Sequence, residues 1–325
     1  MDELSRRIIN QYQGGIPVVE HPFASMAEAL GCQENTLIST LKALLGKGIL
    51  SRFGPMYNSS CMGGGLTLAA MSIPEERFDQ VAERVNSLPE VAHNYRREHE
   101  LNMWFVIATE TPEGIHQTID KIERQSGIAV YNFPKTREFY LGLWLVLDQQ
   151  GQVTTRSTDI PVHHEEALID ELDRKIIRAT QQGLPLDPSP YSKIATQCGC
   201  DTETVMHRFQ RMLNSGAVRR IGAVPNHYRL GLRSNGMSVW DISDDQLELL
   251  GNRIGGLDFV SHCYQRPRHM PLWPYNLFAM VHGHNPHEVN YKIQQISDLV
   301  GADCQQQNVL FSSRILKKSG LRLVA

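Results

Sequence analysis

The chain is short of several things that would each point to a class of function. No stretch approaches the roughly 18 consecutive apolar residues of a membrane span. The start is not that of a secretory leader: Met1-Asp2-Glu3-Leu4-Ser5 is acidic and runs directly into a helical pattern. Cysteine is scarce and unpaired in spacing. The 6 residues, Cys32, Cys61, Cys198, Cys200, Cys263 and Cys304, include no CxxC, and Cys198-Gly-Cys200 alone is a weak metal signal. They read as reduced thiols, and the chain as a cytoplasmic protein without a metal site of its own. Net charge is small: 32 Lys and Arg against 35 Asp and Glu leave −3. That balance argues against a protein that coats nucleic acid, although it leaves room for a local basic patch. HExxH, GxSxG and P-loop patterns are missing, and Gly63-Gly64-Gly65 lacks the strand–turn–helix setting of a phosphate loop.

What the chain does have is itself, twice. Asp2-Glu3-Leu4-Ser5-Arg6-Arg7-Ile8-Ile9 matches Asp170-Glu171-Leu172-Asp173-Arg174-Lys175-Ile176-Ile177, an offset of 168 (170 less 2). The same offset pairs Gly31-Cys32 with Gly199-Cys200, Gly48 with Gly216, Arg52 with Arg220, Gly54 with Gly222 and Asn58 with Asn226. With small gaps the match continues: His93-Asn94-Tyr95-Arg96-Arg97 faces His262-Cys263-Tyr264-Gln265-Arg266, and Asn102-Met103-Trp104 faces Asn276-Leu277-Phe278. Between those blocks the second copy carries an insertion around Arg268-His269-Met270-Pro271-Leu272-Trp273-Pro274-Tyr275. So long a period denotes a duplicated domain pair, not a solenoid. At 325 residues and 41% hydrophobic the chain can build several full cores.

Each copy divides in two. In the second copy Asp170 is placed to cap a helix, Tyr191 to Gln197 reads as a short helix broken by Gly199, and a third runs from Asp201 to Asn214 with Val205, Phe209 and Met212 on one face. Gly216 ends it and Ala217-Val218-Arg219-Arg220-Ile221 starts a ribbon, the pattern of a winged helix-turn-helix. The later part alternates strand, helix, strand, strand, helix, strand, with final strands expected near Ala129 to Phe133 and Asp303 to Phe311. That is the ferredoxin-like βαββαβ order. The expected class is therefore α+β, two tandem copies of winged helix-turn-helix plus ferredoxin-like domain. Boundaries fall at 1–60 and 61–147 for copy one, 148–166 for a Gln-, Gly-, Thr- and Ser-rich linker, and 167–228 and 229–325 for copy two.

This pairing, with the Asp-Glu-Leu-Asp-Arg-Lys-Ile-Ile opening and the Ser215–Ala223 turn, resembles the Lrp/AsnC family of transcription regulators. The Arg52-Phe53-Gly54, His93–Phe105 and Trp273–Phe278 blocks resemble a non-regulatory branch of it, the sirohaem decarboxylases of haem d1 synthesis, normally two similar proteins, which the two copies here resemble in fused form. The resemblance implies removal of acetate carboxyls from sirohaem to give 12,18-didecarboxysirohaem. It implies no cofactor beyond the iron that the tetrapyrrole brings. It also implies a homo-oligomer, and leaves room for a second homologous subunit.

Sirohaem carries carboxylates around an apolar ring, so its site calls for cations and an apolar slot. Arginine's planar fork suits carboxylates. Arg52, Arg97, Arg219, Arg220, Arg266 and Arg268 are the expected ligands, with Arg96 beside them and His93, Tyr95, His262 and Tyr264 completing the substrate set. Any one arginine reads as readily as a solvated surface residue; their clustering beside His, Tyr and Trp carries the reading. A protonating group near neutrality is expected to be histidine. Of 13 histidines, His99, between Glu98 and Glu100, and His269, in the insertion, are the predicted general acids. Any of these four histidines could instead ligate the iron. Trp104, Trp273 and Phe278 either wall the ring or pack a core. His163, His164, His282 and His284 read as surface or structural residues.

Two other functions compete: a regulator sensing haem or an amino acid, and a tetrapyrrole carrier without turnover. A regulator needs cations on its recognition helix, and these helices offer only Lys42 and Lys47 in copy one and Arg208 and Arg211 in copy two.

Overall fold

The computed structural model describes residues 1–158 and 167–318. Copy one runs α1 (Glu3–Tyr12), α2 (Pro22–Leu30), α3 (Glu34–Gly46), β1 (Leu50–Tyr57), β2 (Gly65–Met71), α4 (Phe78–Ser87), β3 (Val91–Arg97), β4 (Met103–Thr109), α5 (Pro112–Ser126), β5 (Tyr131–Pro134) and β6 (Arg137–Leu141). A hairpin follows, β7 (Trp144–Leu147) and β8 (Val153–Arg156), the latter within the stretch read as a linker. Copy two runs α6 (Glu171–Thr180), α7 (Pro190–Cys198), α8 (Thr202–Asn214), β9 (Val218–Pro225), β10 (Ser234–Ile242), α9 (Leu247–Gly255), β11 (Val260–Gln265), β12 (Leu277–Gly283), α10 (Pro286–Val300) and β13 (Cys304–Lys318).

Local chemistry explains most boundaries. Asp170 and Asp173 form a reciprocal capping box at the start of α6, and Asp2 and Asp201 cap α1 and α8. Pro112 and Pro286 open α5 and α10. The two turns between the second and third helices are left-handed glycines, Gly31 and Gly199.

The copies do not fold side by side as separate modules. The chain divides into one unit of Met1–Gly63, Leu145–Thr154 and Val162–Gly231, and another of Gly64–Trp144, Thr155–Pro161 and Leu232–Ala325. The first unit unites both helix-turn-helix parts. The ribbon read in each copy finds its partner in the other: β1 and β9 pair antiparallel, with Gly54 opposite Gly222. Those glycines are needed for close approach. A Cβ at Gly54 would lie 2.5 Å from the Leu184 backbone nitrogen, and one at Gly222 2.3 Å from the Tyr12 carbonyl. The cores are Ile8, Ile9, Phe23 and Leu37 in copy one and Ile176, Ile177, Tyr191 and Phe209 in copy two.

The second unit is a nine-stranded sheet in the order β5-β2-β4-β3-β13-β10-β12-β11-β6. The last strand of each copy serves both copies. The first half of β13 pairs with β10 and the second half with β3; likewise β5 pairs with β2 and β6 with β11. Strand structure therefore continues beyond the expected ends, as the separate β6 to Leu141 in copy one and as the long β13 to Lys318 in copy two. The extensions follow from edge chemistry: β3 and β11 have unpaired backbone edges that only the other copy can cover. The ends of the strand order, β5 and β6, are successive in the chain, so the sheet curls back on itself. Each copy's helices cover a separate outer core, around Phe78, Val81 and Phe105 in one and Leu250, Ile254 and Val289 in the other. A third core, built by both copies, fills the inner face.

Candidate active site

The inner core is an aromatic cluster. Trp104, Phe133, Trp273 and Phe278 are buried together with Leu101, Val239 and Leu310. The Trp104 ring lies 4.8 Å from Trp273 and 5.1 Å from Phe133 between centroids, and Trp273 lies 5.8 Å from Phe278. Trp104 and Phe133 come from copy one, Trp273 and Phe278 from copy two. The copies thus meet indole to indole, and Trp104, Trp273 and Phe278 pack as a shared core.

His99 and His269 both sit on it, from opposite copies. His99 follows β3 and its ring meets Trp273 edge-on at 5.2 Å. Its Nδ1 accepts the Leu101 backbone N–H at 2.9 Å. Burial lowers its pKa, with Glu100 opposing. The neutral ring with the proton on Nε2 is therefore the favoured form. His269 is placed by a tight turn in which His269 and Trp273 exchange backbone hydrogen bonds at 2.8 and 2.7 Å. Its ring stands edge-on to Phe133 at 4.6 Å, and its Nε2 donates to the Asn132 carbonyl at 2.8 Å. That bond leaves Nδ1 as the nitrogen able to accept a proton.

Two matching rows flank the cluster, His93-Tyr95-Arg97 on β3 and His262-Tyr264 on β11 with Arg266 just past its end. Strand alternation sets them apart from Asn94 and Cys263, which turn to the helices: Asn94 bonds Asn86 of α4, and Cys263 belongs to the α9 core. Each arginine reaches across to the other copy's last strand. Arg97 donates to the Leu310 carbonyl and Arg266 to the Phe133 carbonyl, positions that are equivalent in the two copies. Arg266 lies over the Tyr264 ring at 5.2 Å and the Phe278 ring at 5.6 Å. Burial pushes its pKa down to about 10; among the described residues no carboxylate pairs with it, and its Nε and the Trp273 Nε1 are buried donors without a protein partner. His93 is held neutral, its pKa pushed down to about 4 by burial and then by Lys318 opposite it.

The remaining predicted ligands have other engagements. Arg268 is held by Asp241 at 2.9 Å, Asp244 at 2.8 Å and the Pro274 carbonyl at 2.8 Å, so it ties the insertion to the end of β10. Arg96 faces outward over Phe78, paired with Glu75. Arg52, Arg219 and Arg220 belong to the helix-turn-helix unit. There Arg52 donates to the Gln181 carbonyl at the end of α6, and burial lowers the pKa of Arg52 and of Arg220, the latter also through Arg52. On α8, Arg208 and Arg211 both pair with Asp170 and Asp173. His282, read as surface or structural, is buried and hydrogen-bonded; His163 and His164 lie outside the described residues. None of the six cysteines forms a disulfide, and no cluster of three or more His, Cys, Asp or Glu with metal-binding geometry occurs among the described residues. No helix there is long and apolar enough to cross a membrane. Sequence reasoning missed Asn132 and Phe133, which carry no polar signature, and Ser261 with Asn235. Comparing the copies position by position, Ala92 against Ser261, would have marked the last pair.

Comparison with known proteins places this fold in a family. A family model described as "AsnC-like ligand binding domain" matches residues 64–140 and 229–317, and one described as "Siroheme decarboxylase NirDL-like HTH domain" matches 5–50 and 173–219. The class is thus a tandem AsnC-like protein, two helix-turn-helix and two ligand-binding domains in one chain. A sirohaem decarboxylase of Hydrogenobacter thermophilus is 32% identical over 96% of this chain and 92% of its own. The NirH subunit of sirohaem decarboxylase from Paracoccus pantotrophus is 54% identical over 47% of this chain and 96% of its own. A crystal structure of the sirohaem decarboxylase NirDL in complex with an iron-uroporphyrin III analogue superimposes with a TM-score of 0.74 at 28% identity, covering 98% of this chain and 93% of that one. The chain belongs to the sirohaem decarboxylase family, a group of carboxy-lyases.

Proposed function

We propose that the chain removes two acetate carboxyls from sirohaem, giving 12,18-didecarboxysirohaem for haem d1 synthesis in the cytoplasm. The observation that carries this reading is Arg266: a partly buried guanidinium with no carboxylate partner among the described residues, lying over Tyr264 and Phe278 beside the aromatic core that both copies build. A cation of that kind suits a ligand that brings its own carboxylates. Arg97 is its counterpart in the other copy.

The chemistry is redox-neutral. Protonation of a pyrrole carbon makes the ring a cation. The acetate C–C bond then breaks, CO2 leaves, and the bonding pair becomes an exocyclic double bond. A proton adds to the methylene carbon and the ring carbon gives one back, so each CO2 is replaced by one proton. His269, held through Nε2 and able to carry a proton on Nδ1, is the general acid. His99, neutral with Nδ1 already engaged, donates from Nε2 to a carboxylate. Dry aromatic surroundings favour loss of a carboxylate as neutral CO2. The iron arrives with the substrate, and no further cofactor is invoked.

The two copies already share one sheet, which supports a chain that acts without a separate subunit. The regulator reading is disfavoured by the pairing of Arg208 and Arg211 with aspartates, which phosphates would have to displace. The test is anaerobic incubation of the purified chain with sirohaem, alone and with an added homologous subunit, followed by mass spectrometry of the pigment. Loss of two CO2 by the chain alone is expected, and His269→Gln should slow it at least ~100-fold. Binding without loss of CO2 under both conditions would replace the enzyme with a carrier or sensor.

A further inference from the structure

The two copies match at His93 and His262, but what stands behind those rings differs. Behind His262 runs a chain of buried polar side chains across three neighbouring strands. Ser261 Oγ lies 2.7 Å from His262 Nδ1 and 2.6 Å from His282 Nε2, and His282 Nδ1 bonds Asn235 Oδ1. All three supporting residues are nearly inaccessible to solvent: Ser261 is 1% exposed, His282 4% and Asn235 9%. The 3.4 Å approach of Ser261 Oγ to the Met280 carbonyl is too long to compete with either imidazole. The strands explain the geometry. Asn235 and His282 are directly opposite on β10 and β12, and Ser261 is the extra residue of a β-bulge on β11, which brings its hydroxyl beside the following histidine.

With Asn235 presenting Oδ1, which can only accept, His282 carries its proton on Nδ1 and its Nε2 accepts from the Ser261 hydroxyl. That hydroxyl oxygen accepts in turn from His262 Nδ1–H. His262 is left with an unprotonated Nε2. Copy one has the same backbone, including the bulge, with Ala92 for Ser261, Ala108 for His282 and Leu66 for Asn235. There the His93 Nδ1 is buried without a partner. The residue across the strand from His93 is Lys318, where His262 has Leu141.

We propose that Ser261, His282 and Asn235 are positioning residues that lock His262 in its Nδ1–H form, so that His262, and not His93, exchanges a proton with the tetrapyrrole through Nε2. This rests on the decarboxylase reading for its catalytic half. Burial and Lys318 support the contrast, since they keep His93 neutral throughout the physiological range.

Copy one shows that the bulge folds with alanine, so Ser261→Ala is conservative in shape, and Ala108 shows that the neighbouring strand accepts alanine at the position of His282. Ring-15N-labelled protein, with the His262 signals assigned by His262→Gln, reports the tautomer directly and without substrate. The expected result is a fixed Nδ1–H form in the parent chain and a tautomer mixture in both variants. Turnover of sirohaem should fall about tenfold or more in kcat with KM within twofold, whereas Ala92→Ser should change neither. An Nε2–H form in the parent chain, or unchanged tautomer and kcat in Ser261→Ala, would overturn the proposal. A parent chain with the expected tautomer but no turnover would instead overturn the decarboxylase reading and, with it, the proton exchange.

Discussion

Replacing Arg266 by methionine separates what this residue does for the fold from what it does for a ligand. The folded protein holds the guanidinium pKa near 10 against its ordinary 12.5, which corresponds to about 3 kcal/mol spent keeping the charge away from water. Against that stand a charged hydrogen bond to the Phe133 carbonyl, worth about 2 kcal/mol, and stacking over Tyr264 and Phe278, worth about 1 kcal/mol each. The two sides nearly cancel. Arg266→Met, which keeps the length and loses the charge, should therefore change unfolding free energy by no more than about 1 kcal/mol. A ligand carboxylate would lose its buried partner, at about 2–4 kcal/mol, or roughly 30- to 700-fold in affinity. Urea unfolding followed by spectroscopic titration with sirohaem measures both. If stability falls by more than about 3 kcal/mol while the folded protein binds pigment as before, Arg266 is a strut for the Phe133 strand and the carboxylate argument fails.

His93 should make the fold acid-sensitive. Its imidazole titrates near 6.5 when unfolded and about 4 when folded, so between those values the unfolded chain holds the extra proton. Its contribution is complete above pH 6.5 and is lost as pH falls through 4, amounting to about 3 kcal/mol; His93→Gln should flatten that part of a stability-versus-pH curve. Asp173→Ala removes the returning half of a capping box and the buried partner of Arg208 and Arg211, and should cost about 3 kcal/mol in denaturant unfolding. Gly54→Ala would drive a methyl group against the Leu184 backbone, and should lower the melting temperature by several degrees, equivalent to about 2 kcal/mol. A neutral result there would mean that the β1–β9 ribbon is looser than its register implies.

Short-range physics made much of this protein readable in its residues. The duplication, the Asp caps, the glycine turns and the switch of apolar period from helix to strand are all local, and they located two helix-turn-helix and two βαββαβ parts and the sirohaem decarboxylase resemblance. His99 and His269 stood out by their sequence context, one between two glutamates and the other in the insertion. Tertiary structure decided who pairs with whom. A strand's sequence records which residues alternate, not whose edge it will cover, so the exchange of β1 with β9 and the reach of β13 onto β3 were invisible. From that exchange follow the facts that matter for chemistry: the two candidate acids from opposite copies meet at Trp273, Arg266 has no counter-ion among the described residues, and Arg268 is neutralised by its own aspartates. The inequality of His93 and His262 likewise lies in their neighbours on adjoining strands, because a histidine's proton is placed by what its second nitrogen touches.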